Sequence, residues 1–153
     1  MIMIDYEVKH SLINKAGMGI FALKDIARGT VVSAPDQIDK LYRIEEINRM
    51  PQDSVEYQSC VRWFEEYYSF SDKWSDECYY NHSFEPNCLW HLGFVFSARA
   101  IAAGEEITVD YSHLLEEGEK SMFRDSKTGE HVVGLNFREA IRRSAEKLVE
   151  IYK

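Results

Sequence analysis

Asn81-His82-Ser83-Phe84-Glu85-Pro86-Asn87 follows a pair of tyrosines, Tyr79 and Tyr80, at the end of a stretch, SDKWSDECYYNHSFEPNC, that has no regular apolar period. Its Asn, Ser, Asp and Pro content marks turns, and an Asn-His pair followed by Ser and Pro, met alone, is an ordinary hydrogen-bonded turn. It is not met alone. Upstream stands Ala16-Gly17-Met18-Gly19, two glycines one residue apart ahead of a hydrophobic run, and downstream stands Gly104-Glu105-Glu106-Ile107-Thr108-Val109-Asp110-Tyr111. The glycine pair lacks a GxGxxG continuation and does not open a helix, so it is not the fingerprint of a dinucleotide site.

The segments around these motifs read mainly as short strands. Residues 6–13, YEVKHSLI, alternate between apolar and polar until the glycine turn NKAGMG, and IFALKDIARGTVVSA gives two more short strands about a polar turn from Asp25 to Gly29. Strands resume at LWHLGFVFSARAI and EEITVDY, separated by Ala102-Ala103-Gly104. Between about residues 38 and 70 the period changes. Ile44, Ile47, Val55, Cys60, Val61, Phe64 and Tyr68 recur at helical spacing around Pro51, which predicts two helices. The segment from Ser112 onward is polar, with a turn expected at Lys127-Thr128-Gly129-Glu130. In the tail, Asn136 and Glu139 are spaced as a capping box, and Phe137, Ile141, Ala145, Leu148 and Tyr152 form one apolar face for packing on the sheet.

With 153 residues, 45% apolar and 29% charged, the chain reads as a single domain, 1–153, with an ordinary core. The net charge of -8 disfavours direct nucleic acid binding and favours a basic partner. Cys60, Cys78 and Cys88 form no CxxC pair, and His10, His91, His113 and His131 are scattered, so neither a metal site nor a disulfide framework is indicated. The start, MIMIDYEVKH, meets Asp5 after four apolar residues, too short a run for a signal peptide or a membrane span, so the expectation is a cytoplasmic protein with reduced thiols.

Taken in order, AGMG, NHSFEPN and GEEITVDY resemble the GxG turn, the NHSxxPN signature and the GEEIxxxY strand of the SET domain protein-lysine methyltransferases. The resemblance covers a core of about residues 6–112. It implies an α+β, mainly β fold: a β-clip of short sheets with a C-terminal pseudoknot, a helical insert at about 38–70, a C-terminal helix, and an extension over 113–153. It implies an enzyme that uses S-adenosyl-L-methionine to methylate the ε-amine of a lysine in a protein substrate. Ala16, Met18, Gly19, Asn81 and His82 then fall at cofactor positions, Tyr111 at that of the active-site tyrosine, and Trp90 and Tyr80 at the substrate channel. Trp90 stands where relatives carry a phenylalanine or tyrosine that tunes how many methyls fit. Asp110 and Glu106 are expected to make structural bonds. The chain departs from many relatives in carrying Phe84 where a cysteine can stand and no cysteine after Cys88, so a zinc-built lid is excluded, and Phe123 or Phe137 is left to cover the adenine. Two rivals remain: an inactive SET scaffold that binds basic peptides, against which the retention of Asn81-His82 and Tyr111 argues, and an unrelated β-rich nucleotide-handling enzyme, which leaves NHSFEPN unexplained.

Overall fold

The computed structural model describes residues 1–35 and 40–153. The chain opens with an antiparallel hairpin, β1 (Tyr6–His10) with β2 (Met18–Ala22), in which Val8 faces Ile20 and His10 faces Met18. After β3 (Val31–Ser33) comes the insert, and then β7 (Asn81–His82), β8 (Cys88–His91), β9 (Phe94–Ser97) and β10 (Thr108–Val109). β3, β9 and β8 form one antiparallel sheet, while β7 and β10 lie side by side and parallel, Asn81 facing Thr108 and His82 facing Val109. Ile20, Val32, Val95, Ile101, Ile107 and Val109, from β2, β3, β9, the 98–107 segment and β10, meet in one buried core with Tyr80 and Cys88. The architecture is α+β and mainly β, built of small sheets with a C-terminal helix.

The insert departs from expectation. In place of two helices, it holds two single turns, α1 (Ile44–Ile47) and α2 (Val55–Gln58), and a three-stranded antiparallel sheet of β4 (Tyr42–Arg43), β6 (Tyr67–Ser69) and β5 (Val61–Phe64). Val61, Phe64 and Tyr68 do fall three and four apart, which mimics a helical stripe. The segment is nonetheless dense in Val, Trp, Phe and Tyr, which fit a pleated surface better than a helix. A two-residue turn at Glu65-Glu66 closes the hairpin, with Glu65 at a left-handed φ of 46°. The expected start of the insert, Ile38, lies outside the described residues.

The unassigned polar stretch forms a further hairpin, β11 (Lys120–Arg124) with β12 (His131–Val133). Its turn falls at the expected place, where Asp125 accepts hydrogen bonds from the amides of Lys127 (3.1 Å) and Thr128 (2.7 Å). The tail is helix α3 (Phe137–Ile151), capped by Asn136, whose side chain accepts from Glu139 N at 2.9 Å. The second half of the expected capping box is missing, because the Glu139 carboxylate binds Arg142 and Arg143 instead. The buried face runs through Ala140, Ser144 and Ile151 and packs on β8. Tyr152, expected on that face, is instead 61% exposed and donates to Gly29 O at 2.7 Å.

Gly93, in the turn between β8 and β9, has a φ of 82°, and a Cβ there would run into the Trp63 ring of the insert. Gly93→Ala is therefore expected to cost about 2–3 kcal/mol, which lowers the melting temperature by roughly 5–10 °C. A thermal melt by circular dichroism checks this, and an unchanged midpoint would contradict the packing of the insert against this turn.

Candidate active site

The first, second and third motifs meet at one buried carboxylate. Glu106, 8% exposed, directs Oε1 at Ser11 Oγ (2.7 Å) and Asn81 Nδ2 (2.8 Å), and Oε2 at Leu12 N (2.9 Å). Asn81 Nδ2 also donates to Met18 O at 2.9 Å. Gly19 is required here for a reason beyond ligand approach. A Cβ on it would overlap the Glu106 carboxylate and come within 3.0 Å of Asn81 Nδ2, so only a residue without a side chain lets the clasp close.

The far end of the heptad is fixed to the same strand. Asn87 donates to Glu106 O (2.8 Å) and to Glu105 (3.1 Å), and its Oδ1 accepts from Thr108 N (2.9 Å). The guanidinium of Arg99 and the side chain of Asn87 hold Glu105 down at about 2, below the usual carboxylate range. Residues 81–87 are thus clamped at both ends against residues 105–109.

This clamp sets Tyr111 against His82. Tyr111 opens a short 3-10 turn, Tyr111–His113, in which Asp110 accepts from Ser112 N at 2.9 Å. Its backbone amide donates to His82 Nδ1 at 3.1 Å, and its hydroxyl donates to the carbonyl of Tyr80. Burial pushes the Tyr111 phenol well above its ordinary value, so it stays protonated and cannot serve as a base near neutral pH.

An imidazole nitrogen that accepts a hydrogen bond carries no proton, so the His82 proton sits on Nε2, which is buried and without a partner among the described residues. Burial lowers the pKa of His82, and nearby Asp110, 3.8 Å away, only partly opposes it. Aromatic rings surround this imidazole: Phe84 edge-on at 4.6 Å, Tyr111 at 5.5 Å and Phe123 at 6.0 Å between centroids. Phe123 comes from β11 and also meets Tyr111 at 5.8 Å.

Of the residues read from sequence, Met18, Gly19, Asn81, His82 and Tyr111 are joined by these bonds and by the close approach at Gly19. Ala16 lies in the adjoining loop, where its amide donates to Ile13 O at 3.1 Å and Gly17 takes a φ of 79°. Tyr80 reaches the site through its carbonyl, since its ring is 6% exposed in the core. Trp90, half-buried, stands edge-on to Trp63 at 6.5 Å and shares a cleft with His113, Phe137 and Ile141. Phe123 therefore joins the His82 group, whereas Phe137 joins Trp90. Sequence reasoning missed Ser11, Leu12 and Trp63. No motif marks them, because each is recruited by a partner distant along the chain.

The family model described as SET domain matches residues 17–112, well over half of the chain, and takes in all three motifs except Ala16 of the first. No curated protein matches the chain.

His82, His91 and His113 all have lowered pKa values, with burial the first cause in each. A histidine depressed in the folded state takes up its proton more readily when unfolded, so stability falls as pH drops below the unfolded value of about 6.5. The melting temperature is expected to decrease between pH values of about 7.5 and 5.5, as followed by differential scanning fluorimetry. A flat or rising profile would contradict the neutral, buried state of these rings.

Proposed function

The chain belongs to the SET domain family, whose members are in general protein-lysine methyltransferases, and from that premise we propose that it transfers a methyl group from S-adenosylmethionine to the ε-amine of a lysine in a protein substrate. The chemistry of the groups around His82 fits this cofactor. Asn81 donates its amide hydrogens to Met18 O and Glu106, which leaves Oδ1 as an acceptor suited to an ammonium group. His82 Nε2 is a buried donor lacking an acceptor among the described residues, as a ring nitrogen of an adenine would supply. Phe84 and Phe123, 36% and 43% exposed, offer apolar faces beside it. S-adenosylmethionine supplies a methyl group on a positively charged sulfonium, open to direct displacement by a neutral amine.

The observation that carries the proposal is the state of Tyr111. Its proton is committed to Tyr80 O, so its oxygen presents only lone pairs to the site. Such an oxygen is suited to weak C–H···O contacts with a polarised methyl, and it needs no change of charge to make them. A dedicated base is not required, since desolvation and a neighbouring positive charge both lower a lysine pKa and let its proton pass to water. The cleft that Trp90 and Trp63 line with His113 and Phe137 encloses only about 10 Å³, room for one water and not for a lysine stem, so the channel role expected of Trp90 finds no support in it. The substrate is a protein with a target lysine in a basic setting, in keeping with the net charge of -8. Neither nucleic acid nor membrane is a partner in this reading, and the working compartment is the cytoplasm.

Tyr111→Phe keeps the ring and removes the oxygen. Its affinity for S-adenosylmethionine is expected to stay within about threefold, while kcat falls by roughly 10²-fold. Single-turnover methyl transfer to proteins of a cell extract, read by mass spectrometry, together with calorimetry of the cofactor, checks both. Near-normal turnover would leave Tyr111 as a packing residue, and cofactor binding without turnover in the parent would favour the inactive scaffold.

Asn81→Ala is expected to weaken S-adenosylmethionine binding by about tenfold or more, and it should also cost about 1–3 kcal/mol of stability, because Met18 O and Glu106 lose a buried donor. Unaltered cofactor affinity in a folded variant would place the cofactor elsewhere.

A further inference from the structure

The cleft beside Trp90 is too small for a lysine stem, but the charge in its walls is of one sign. Four parts of the chain close it: β5 with Arg62 and Trp63, β8 with Trp90, the 3-10 turn with His113, and α3 with Phe137 and Ser144. Among the described residues, none that lines it is acidic. We propose that the cleft is a halide site, in which one chloride ion, held between Arg62 and His113, ties the insert and α3 to the turn that carries Tyr111.

Arg62 gives the first reason. It is only 3% exposed, and a guanidinium keeps its charge at any ordinary pH. Among the described residues no carboxylate is ion-paired with it, and its one side-chain hydrogen bond, donated to His113 O, is long at 3.5 Å. Burial pulls its pKa down, with Tyr68 and Glu117 opposing. A buried charge loses its hydration, so buried charges as a rule have a counter-charge, and the protein supplies none here.

His113 gives the second. It lines the same cleft, and its imidazole makes no hydrogen bond among the described residues, although its carbonyl accepts from Arg62. Burial lowers its pKa first; Asp110 opposes this, while Arg62, Arg143 and His91 add to it. The neighbouring His91 is engaged elsewhere, Nδ1 with Ser144 Oγ at 2.8 Å, and Ser144 Oγ donates in turn to Ile141 O at 3.2 Å. A neutral imidazole still carries one N–H, so His113 brings a donor to the cleft beside the guanidinium.

Size decides which anion fits. The cleft holds about 10 Å³, the space of a single water. Phosphate, sulfate and carboxylate groups each have several heavy atoms and do not enter. A water fits, but it brings no charge and leaves Arg62 uncompensated. Chloride is a single atom not much larger than a water oxygen, and between aromatic and aliphatic walls its attraction to the guanidinium is only weakly screened.

Thermal melts of the full chain in sodium chloride and in sodium gluconate, at equal ionic strength, test this. The parent is expected to melt roughly 3–5 °C higher in chloride, a gain that saturates with concentration, as for any ligand that binds only the folded state. Arg62→Met keeps an unbranched stem, removes the charge and should lose that gain. Equal responses of parent and variant, or no response in the parent, would overturn the proposal. Two measurements on the parent alone decide the matter if the variant does not fold. The chloride NMR line should broaden in the presence of the protein and narrow again on addition of bromide, but not of phosphate. Bromide, a heavy-atom quencher, should also quench the fluorescence of Trp63 and Trp90 saturably, with the same midpoint as its displacement of chloride. Displacement by phosphate as well, or quenching that only rises linearly, as collisions with the 42% exposed Trp74 give, would place the ion on the surface and refute the site.

Discussion

The buried carboxylate of Glu106 is the point on which the rest of the site depends. It gathers Ser11 and Leu12 from the loop after β1, Asn81 from β7, and, through Asn81, the carbonyl of Met18. Three stretches that look independent in sequence become one contact: the glycine that makes room, the asparagine that donates and the glutamate that accepts. A buried carboxylate without such partners is costly, so each stretch stabilises the fold only in the presence of the other two. This dependence gives a physical reason for the three motifs to occur together in one chain.

The same internal bonding determines what the site has left to offer. The hydrogens of Asn81 are taken by Met18 O and Glu106, and that of Tyr111 by Tyr80 O, while the backbone amide of Tyr111 is taken by His82. What remains around Asn81 and Tyr111 is oxygen lone pairs, and around His82 a single N–H between aromatic rings. Acceptors near one end and a donor near the other match a ligand whose charged part is cationic and whose flat part accepts hydrogen bonds. The proposed cofactor has this distribution, and the electrostatic match follows from internal bonding rather than from any charged catalytic group.

Much of this is legible in the sequence, and what is not has definite causes. The short strands, the turn glycines and the Asn136 cap can be read because each is set by local chemistry. The sheet in the insert cannot, because Val61, Phe64 and Tyr68 satisfy a helical period by accident, and the hairpin depends on a left-handed Glu65 that no sequence rule demands. The capping box at Asn136 is only half realised, since Arg142 and Arg143 compete for the same carboxylate one turn later. The motif brings Tyr80 to the site by its backbone rather than its ring: the carbonyl faces Tyr111 while the ring fills the core. Ser11 and Leu12 are invisible, because a backbone amide and a serine hydroxyl acquire their roles only when Glu106 arrives from 94 and 95 residues away.

The central claim is that the Glu106 clasp holds Asn81 and the glycine loop in the geometry of a cofactor site. Glu106→Gln tests it most directly, because an amide keeps the volume but cannot accept from all three donors. Titration calorimetry with S-adenosylmethionine, at a temperature where both proteins are folded, should find binding to the parent and binding weaker by about tenfold or more to the Glu106→Gln variant. Equal affinities, or no heat of binding to the parent, would contradict the account.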